Sequence, residues 1–106
     1  MQKVRKVRIL SYEIADNLWK WIKGLMFSKP KTLIFDFKKT REVKIHMWFV
    51  FFPIYAIVLD ENKKVIKIKK LYPFISFFKF NGRYLIEMPE KEFKKYKITL
   101  NDLISF

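Results

Sequence analysis

Cysteine is absent from this sequence of 106 residues, and glycine and proline are scarce, with 2 and 4 copies respectively. Without cysteine the chain cannot form disulfides, thiolate metal sites or a cysteine nucleophile. With two glycines it cannot build a glycine-rich phosphate loop, and long flexible loops are disfavoured. Hydrophobic residues make up 51% of the chain, which is enough for a core and excludes a disordered protein. The length fits a single domain, residues 1–106.

Acidic residues are few beside the basic ones: 10 Asp and Glu against 23 Lys and Arg, a formal net charge of +13. Such a surface favours polyanions or anionic surfaces as partners. The alternative is that the lysines only keep the surface solvated. The basic residues form four groups with acidic residues between them, at 3–8, 38–41, 63–70 and 91–97. The net charge alone does not choose between these interpretations.

Groups that carry out catalysis are also scarce. His46 is the single histidine, whereas a zinc site needs three or four ligands. None of the serines lies in a Gly-x-Ser-x-Gly turn. Arg83 and Glu87 share one face of a predicted strand, either as an anion-binding patch or as an ion pair exposed to solvent. The sequence therefore favours a noncatalytic protein with no cofactor and no metal.

Long hydrophobic runs are missing as well, since the longest covers residues 45–59 and is interrupted by His46 and Pro53. As a helix it would reach about 22 Å, short of the ~30 Å hydrocarbon core of a bilayer. Pro53 would also break that helix, so we expect two strands that meet near it. No apolar stretch follows the basic residues at 3–8, and a secretory signal is therefore not expected. These features indicate a soluble, cytoplasmic protein without a membrane span.

What the chain does contain is a series of short segments that alternate between apolar and polar residues, as β-strands do. Asn81-Gly82 is typical of a two-residue hairpin turn. No long helix separates one strand from the next, which argues against a parallel α/β sheet. We therefore expect an all-β fold: an antiparallel, jelly-roll-like sandwich or barrel with one or two short helices. The predicted strands cover residues 4–10, 32–37, 42–49, 54–59, 64–71, 75–80, 83–88, 98–100 and 103–106.

Two helical segments are expected between these strands. Asp16 can cap a short helix over residues 17–23, and Gly24 suits the position after its last turn. Trp19 and Trp21 on this helix either anchor it to the core or stack on a ligand. Pro89 opens a second helical turn that extends to about residue 95.

Several motifs in this order resemble one small family. They are Gly24-Leu25-Met26-Phe27, Phe35-Asp36-Phe37, the aromatic segment from His46 to Ile54, Tyr72-Pro73, the segment from Gly82 to Pro89, and Asn101-Asp102. The set is similar to the family catalogued as domain of unknown function 192, over about residues 4–103, and to its archaeal branch in particular. The resemblance implies an all-β, jelly-roll-like fold. It implies no activity or ligand, so no catalytic residue is carried over.

Candidate binding residues come from the basic segment 63–74 and from the anion patch. Lys67 and Lys69 are expected to point outward from their strand while Ile66 and Ile68 point inward. A basic strand followed by an exposed aromatic residue is how single-strand binders track a backbone and stack bases. The first hypothesis is a small noncatalytic binding or interaction module. The alternative is a nucleic-acid-binding protein, and an enzyme of unknown class is the third. The candidate residues are Lys63, Lys67, Lys69, Tyr72 and Arg83.

Overall fold

The computed structural model describes residues 4–26, 28–47 and 49–106. This part of the chain forms seven strands and two short helices. In chain order they are β1 (Lys6–Arg8), β2 (Glu13–Ala15), α1 (Leu18–Lys23), β3 (Leu33–His46), β4 (Ile54–Leu59), β5 (Val65–Leu71), β6 (Phe77–Pro89), α2 (Glu90–Tyr96) and β7 (Leu103–Ser105).

Five of the strands form one sheet in the order β2-β3-β6-β4-β5, and β1 pairs with β7 in a second sheet. The four long strands pair antiparallel, as predicted. The short pairs β1–β7 and β2–β3 are parallel, which was not predicted. The connection between β2 and β3 contains α1, and this crossover is long enough to bring the chain back in the same direction. Neither sheet closes on itself in the described residues, so the mostly-β class is confirmed and the sandwich fits better than the barrel.

Two clusters of buried side chains lie on opposite faces of the larger sheet, because successive residues of a strand point in opposite directions. In β4, Ala56 and Val58 belong to the first cluster, whereas Ile57 and Leu59 belong to the second. The turn after α1 covers part of the first face, where Leu25 is buried. Residues of β1, β7 and α2 cover the second face. The two faces therefore have different coverings, and the first one carries the site described below.

The predicted hairpin at Asn81-Gly82 is wrong. Both residues lie inside β6, which runs without interruption and pairs with β3 on one side. Gly82 does not have the positive φ that a type I′ turn requires. A Cβ at this position would lie 2.5 Å from Val58 Cγ1 on the neighbouring strand. The glycine is therefore explained by the close approach of β4, which the local sequence does not reveal.

The two predicted strands at 32–37 and 42–49 are one strand, β3, with an irregular centre. The pairing with β6 shifts between Asp36 and Arg41, and Lys38 has a φ of 70°. A second register shift lies near the start of β5, where Leu59 pairs with Val65 and Val58 pairs with Lys67. This bulge leaves Ile66 46% exposed, so its predicted inward orientation is wrong.

The helices are close to their predicted positions. Asn17, not Asp16, caps α1, because its Oδ1 accepts a hydrogen bond of 3.0 Å from the Lys20 backbone N–H. Pro89 is the residue before α2, as expected. Trp19 is 76% exposed, and the prediction that it anchors α1 to the core is therefore wrong. Residues 98–100 are not a strand.

The apolar run 45–59 is divided between two strands. β3 ends at His46 and β4 begins at Ile54, after Pro53, so the prediction of two strand segments is confirmed, although the first ends three residues early. Neither helix in the described part of the chain has the length and apolar character needed to cross a bilayer.

Candidate functional site

A cavity of about 370 Å³ lies on the first face of the larger sheet, between the turn after α1 and the second half of β3. β2 pairs only with residues 33–35 of β3, so the rest of that edge of β3 is not covered by β2. The bend in β3 brings residues 41–46 to the cavity. The residues that line it include Trp21, Gly24, Phe35, Arg41, His46 and Glu87.

Gly24 forms the roof of the cavity because α1 ends there. Its N–H donates to the Lys20 carbonyl oxygen, and its φ of 48° lies in the region that favours glycine. A Cβ at this position would lie 3.4 Å from Phe35 Cζ and 3.6 Å from Glu87 Oε1. The chain therefore turns directly over the ring of Phe35 and the carboxyl group of Glu87.

Glu87 is the buried acid of the cavity. It lies in β6 opposite Leu33 and is only 6% exposed. Burial raises its pKa from an ordinary value of 4.5 to about 8. Among the described residues no cation forms an ion pair with it and no hydrogen bond offsets its burial. At neutral pH Glu87 therefore carries its proton and presents an O–H donor as well as an acceptor.

Arg41 supplies a positive charge with an unused donor. Its guanidinium carbon lies 5.2 Å from the centroid of the Trp21 ring. That ring is held in place because the indole N–H donates to the Ala15 carbonyl oxygen over 2.8 Å. The Nε atom of Arg41 is buried and has no hydrogen-bond partner in the described part of the chain. A buried donor without a partner costs about 1–3 kcal/mol, so a ligand acceptor that reached this atom would be favoured.

The charges around the opening are mainly positive. Lys23 and Lys44 line the cavity together with Arg41. Glu42 also lines it, but its carboxylate is 3.4 Å from the Lys79 ammonium and is neutralised by that pair. Because Glu87 is protonated, the cavity favours an anion over a cation.

His46, the single histidine, also lines the cavity. In the ranges that the structure describes, no group of three or more His, Asp or Glu side chains could hold a metal ion. The arrangement is thus one of hydrogen-bond donors and aromatic walls.

The binding residues predicted from the sequence lie in different places. The ammonium groups of Lys67 and Lys69 lie 5.1 and 5.6 Å from the Phe78 ring centroid, on the first face of the sheet. The Lys63 ammonium lies 4.0 Å from the Phe106 ring, which packs on the second face. Tyr72 is exposed, and it lies near Lys70. Lys63 is therefore separated from Lys67 and Lys69 by the sheet.

Arg83 and Glu87 do not form a shared patch either. Arg83 pairs with Asp36 and, over 3.5 Å, with Glu61. Burial would raise the pKa of Asp36, but hydrogen bonds from the Lys38 backbone N–H and from Arg83 lower it overall. Arg83 is thus committed to two carboxylates, whereas Glu87 faces the cavity.

Sequence reasoning missed Arg41 and identified Glu87 and Trp21 for other reasons. Trp21 was expected either to anchor α1 or to stack on a ligand, and the structure places it both against the core cluster and on the cavity wall. No local pattern places Arg41 at a cavity, because its position depends on the bend in β3. The sequence shows only that Arg41 comes just before an alternating strand segment.

The fold has relatives among solved structures. A protein of unknown function from Novosphingobium aromaticivorans superposes with a TM-score of 0.79 at 17% identity, over 90% of this chain and 74% of that chain. A protein from Sinorhizobium meliloti, described provisionally as a transcription regulator, superposes with a TM-score of 0.76 at 20% identity, over 87% of this chain and 78% of that chain. At these identities the likeness establishes the fold alone.

Sequence comparison identifies the family, which the structural likeness does not. The UPF0127 protein PH1112 of Pyrococcus horikoshii is 32% identical over 111 residues, covering 97% of this chain and 96% of that protein. The family model DUF192, described as Uncharacterized ACR, matches residues 2–106. The resemblance noted from the motifs is therefore confirmed, and the chain belongs to the DUF192 family, whose function is uncharacterised.

Proposed function

We propose that this protein is a small noncatalytic binding module that holds a small organic acid in the cavity between α1 and β3. The observation that carries the proposal is the buried Nε of Arg41, a charged donor on the cavity wall without a partner among the described residues. Guanidinium groups bind carboxylates through paired hydrogen bonds.

The size and the walls of the cavity fit the rest of such a ligand. About 370 Å³ is within the ~300–1,000 Å³ range of small-molecule sites. The rings of Trp21, Phe35 and Phe37 line it and can contact an apolar or aromatic body. Trp21 and Arg41 are already held against each other, so little ordering is needed when the ligand binds.

The charges favour an acid over an amine or a neutral molecule. Arg41 and the protonated Glu87 can both donate to a carboxylate, whereas Lys23 and Lys44 repel a cation at the opening. Among the described residues that line the cavity, none carries a hydroxyl or a thiol, so nucleophilic catalysis of the serine or cysteine type is not supported there.

The test uses ligands with one skeleton and three charges: benzoate, benzyl alcohol and benzylamine. Binding is measured by amide chemical shifts and by calorimetry. We expect benzoate to bind best and to shift the amides of residues 21–26 and 41–46. The variant Arg41→Met should bind benzoate at least about tenfold more weakly, since a charged hydrogen bond contributes about 1.5–3 kcal/mol. Arg8→Met is the matched control, because Arg8 is exposed on β1, and it should bind as the wild type does.

The proposal is wrong if benzylamine binds better than benzoate. It is equally wrong if Arg41→Met and Arg8→Met bind benzoate alike, because the cation then plays no part in recognition.

The alternative hypothesis from the sequence, binding of a single-stranded nucleic acid, keeps only part of its support. It is supported by Lys67 and Lys69, which lie together on one face and form no ion pair with any carboxylate in the described residues. Lys63, the third lysine of that prediction, lies on the other side of the sheet with its ammonium beside the Phe106 ring. This alternative is therefore the weaker one, and we expect any such binding to be electrostatic only. A cytoplasmic location stays a prediction, and cell fractionation tests it.

A further inference from the structure

A group of exposed aromatic and aliphatic side chains lies where the segment that connects β3 to β4 meets the segment that connects β5 to β6. The end of β3 pairs with the start of β6 there, with His46 opposite Phe77, whereas Ile54 at the start of β4 pairs with Leu71 of β5 and with Pro89 at the far end of β6. Hydrogen bonds join these segments: the Phe74 N–H donates to the Met47 carbonyl oxygen over 2.9 Å, and the Met47 N–H to that of Ser76 over 3.2 Å. We name this region the aromatic end, and its exposed members are Phe49, Phe51, Tyr72, Phe74, Ile75 and Phe77.

Several side chains of the aromatic end are strongly exposed. Ile75 is 82% exposed and Phe51 and Phe77 are each 60% exposed. The rings of Phe51 and Phe74 meet edge to face, with centroids 5.3 Å apart, so side chains of the two segments form one patch. A contiguous apolar patch of this kind indicates a binding surface, whereas scattered apolar residues do not.

The charges around the aromatic end are almost all positive. Residues 43–59 and 65–82, which include both connecting segments, contain five Lys and no Arg, Asp or Glu. Lys44 and Lys79 pair across β3 and β6, two residues from the pair His46–Phe77. Lys70 lies beside Tyr72, with its ammonium 5.5 Å from the ring centroid. Glu42 pairs with Lys79 and Glu90 pairs with Lys70, whereas Lys44 and Lys69 form no ion pair in the described part of the chain.

We propose that the aromatic end docks this protein onto an anionic lipid bilayer, with Phe51, Ile75 and Phe77 entering the interface and the surrounding lysines contacting the headgroups. Aromatic residues prefer the interface, and lysines near it are attracted by acidic lipids. Both contributions are needed for stable attachment, and this surface provides both. The aliphatic side chain of Ile75 favours a bilayer over a nucleic acid, because it can enter hydrocarbon but cannot stack as a ring does on a base.

The probe is large unilamellar vesicles of phosphatidylcholine with about 30% phosphatidylserine, compared with pure phosphatidylcholine vesicles, in about 0.15 M salt. Flotation measures the bound fraction. We expect the wild type to bind the anionic vesicles at least about tenfold better than the neutral ones. Ile75→Asp should lose about tenfold or more, since it removes a large apolar side chain from the interface and adds a negative charge.

Leu100→Asp is the matched control. Leu100 is 56% exposed, and the neighbouring Asn101 N–H donates to the carbonyl of Val65, at the opposite end of β5 from the aromatic end. The Leu100→Asp variant should bind the anionic vesicles within about twofold of the wild type, because it makes the same charge change as Ile75→Asp but away from the interface. The proposal is overturned if both variants lose binding equally, because charge alone then explains it.

Two other results also overturn the proposal. One is a wild-type protein that binds neither vesicle and forms a dimer that Ile75→Asp dissociates. The other is single-stranded RNA binding in the same salt that Ile75→Asp abolishes. Neither experiment involves Arg41 or the cavity, so the organic-acid proposal stands or falls separately.

Discussion

Replacing Glu87 with glutamine should remove a large part of the dependence of stability on pH. Glu87→Gln keeps the shape and the hydrogen-bonding capacity of the protonated side chain but cannot release a proton. The pKa of Glu87 is about 8 in the folded protein against 4.5 ordinarily. The folded protein therefore keeps a proton that the unfolded chain releases above about pH 4.5. The contribution of this proton to the free energy of unfolding is fully present below that pH and is lost as the pH rises towards about 8.

The size of the effect follows from the gap between the two pKa values. Each pH unit between them costs about 1.4 kcal/mol, and the whole gap amounts to about 5 kcal/mol. Between pH 5 and pH 7 the wild type should lose about 2.5 kcal/mol through this group. A typical domain is stable by about 5–15 kcal/mol, so this loss is a large fraction of the total.

The assay is urea unfolding followed by circular dichroism at pH 5, 6, 7 and 8. The quantity compared is the difference in free energy of unfolding between Glu87→Gln and the wild type, in which the other titrating groups cancel. This difference should grow in favour of the variant by about 1.4 kcal/mol for each pH unit. Glu92→Gln, on α2, is the control and should follow the wild type. A difference that stays constant within about 0.5 kcal/mol would refute the assignment of a buried, protonated Glu87.

Three further changes have defined outcomes. Gly82→Ala should destabilise the protein by about 1–3 kcal/mol in urea unfolding because its Cβ would meet Val58, and in the double variant with Val58→Ala the two losses should not add; simple additivity would contradict this contact. Asn17→Ala should cost about 1 kcal/mol and speed amide hydrogen exchange of Lys20, which loses its cap; unchanged exchange would show that the cap is not formed. A net charge of +13 attracts any polyanion, so nucleic-acid binding should disappear by about 0.2 M salt and should not respond to Tyr72→Ala. Binding that is retained at that salt and lost in Tyr72→Ala would instead establish that bases stack on the Tyr72 ring.

The elements that could be predicted from the sequence are those whose signals are local. β4 was predicted to the residue, because six consecutive apolar residues between Pro53 and Asp60 have few alternatives. The end of α1 at Gly24 and the start of α2 after Pro89 were also predicted from residues with fixed backbone preferences.

The failures have a common physical origin in contacts between distant parts of the chain. Asn81-Gly82 satisfies every local rule for a turn, yet β4 passes so close that the glycine is needed in the strand. The same holds for the candidate site, since Arg41 reaches the cavity only because β3 bends between Asp36 and Arg41. The position of Arg41 depends on this bend and on a helix twenty positions away, so the residues next to it in the sequence give no sign of it.

The parallel pairing of β1 with β7 has a consequence for how the chain acquires its structure during synthesis. Lys6 pairs with Leu103, a residue made 97 positions later. At about 5–20 residues per second, the ribosome needs roughly 5 to 20 s to make that stretch. Throughout this time Val7 and Ile9 lack the β7 part of their cluster, which includes Ile104. Newly made chains thus expose an apolar segment for seconds, the period in which a chaperone would have to protect them.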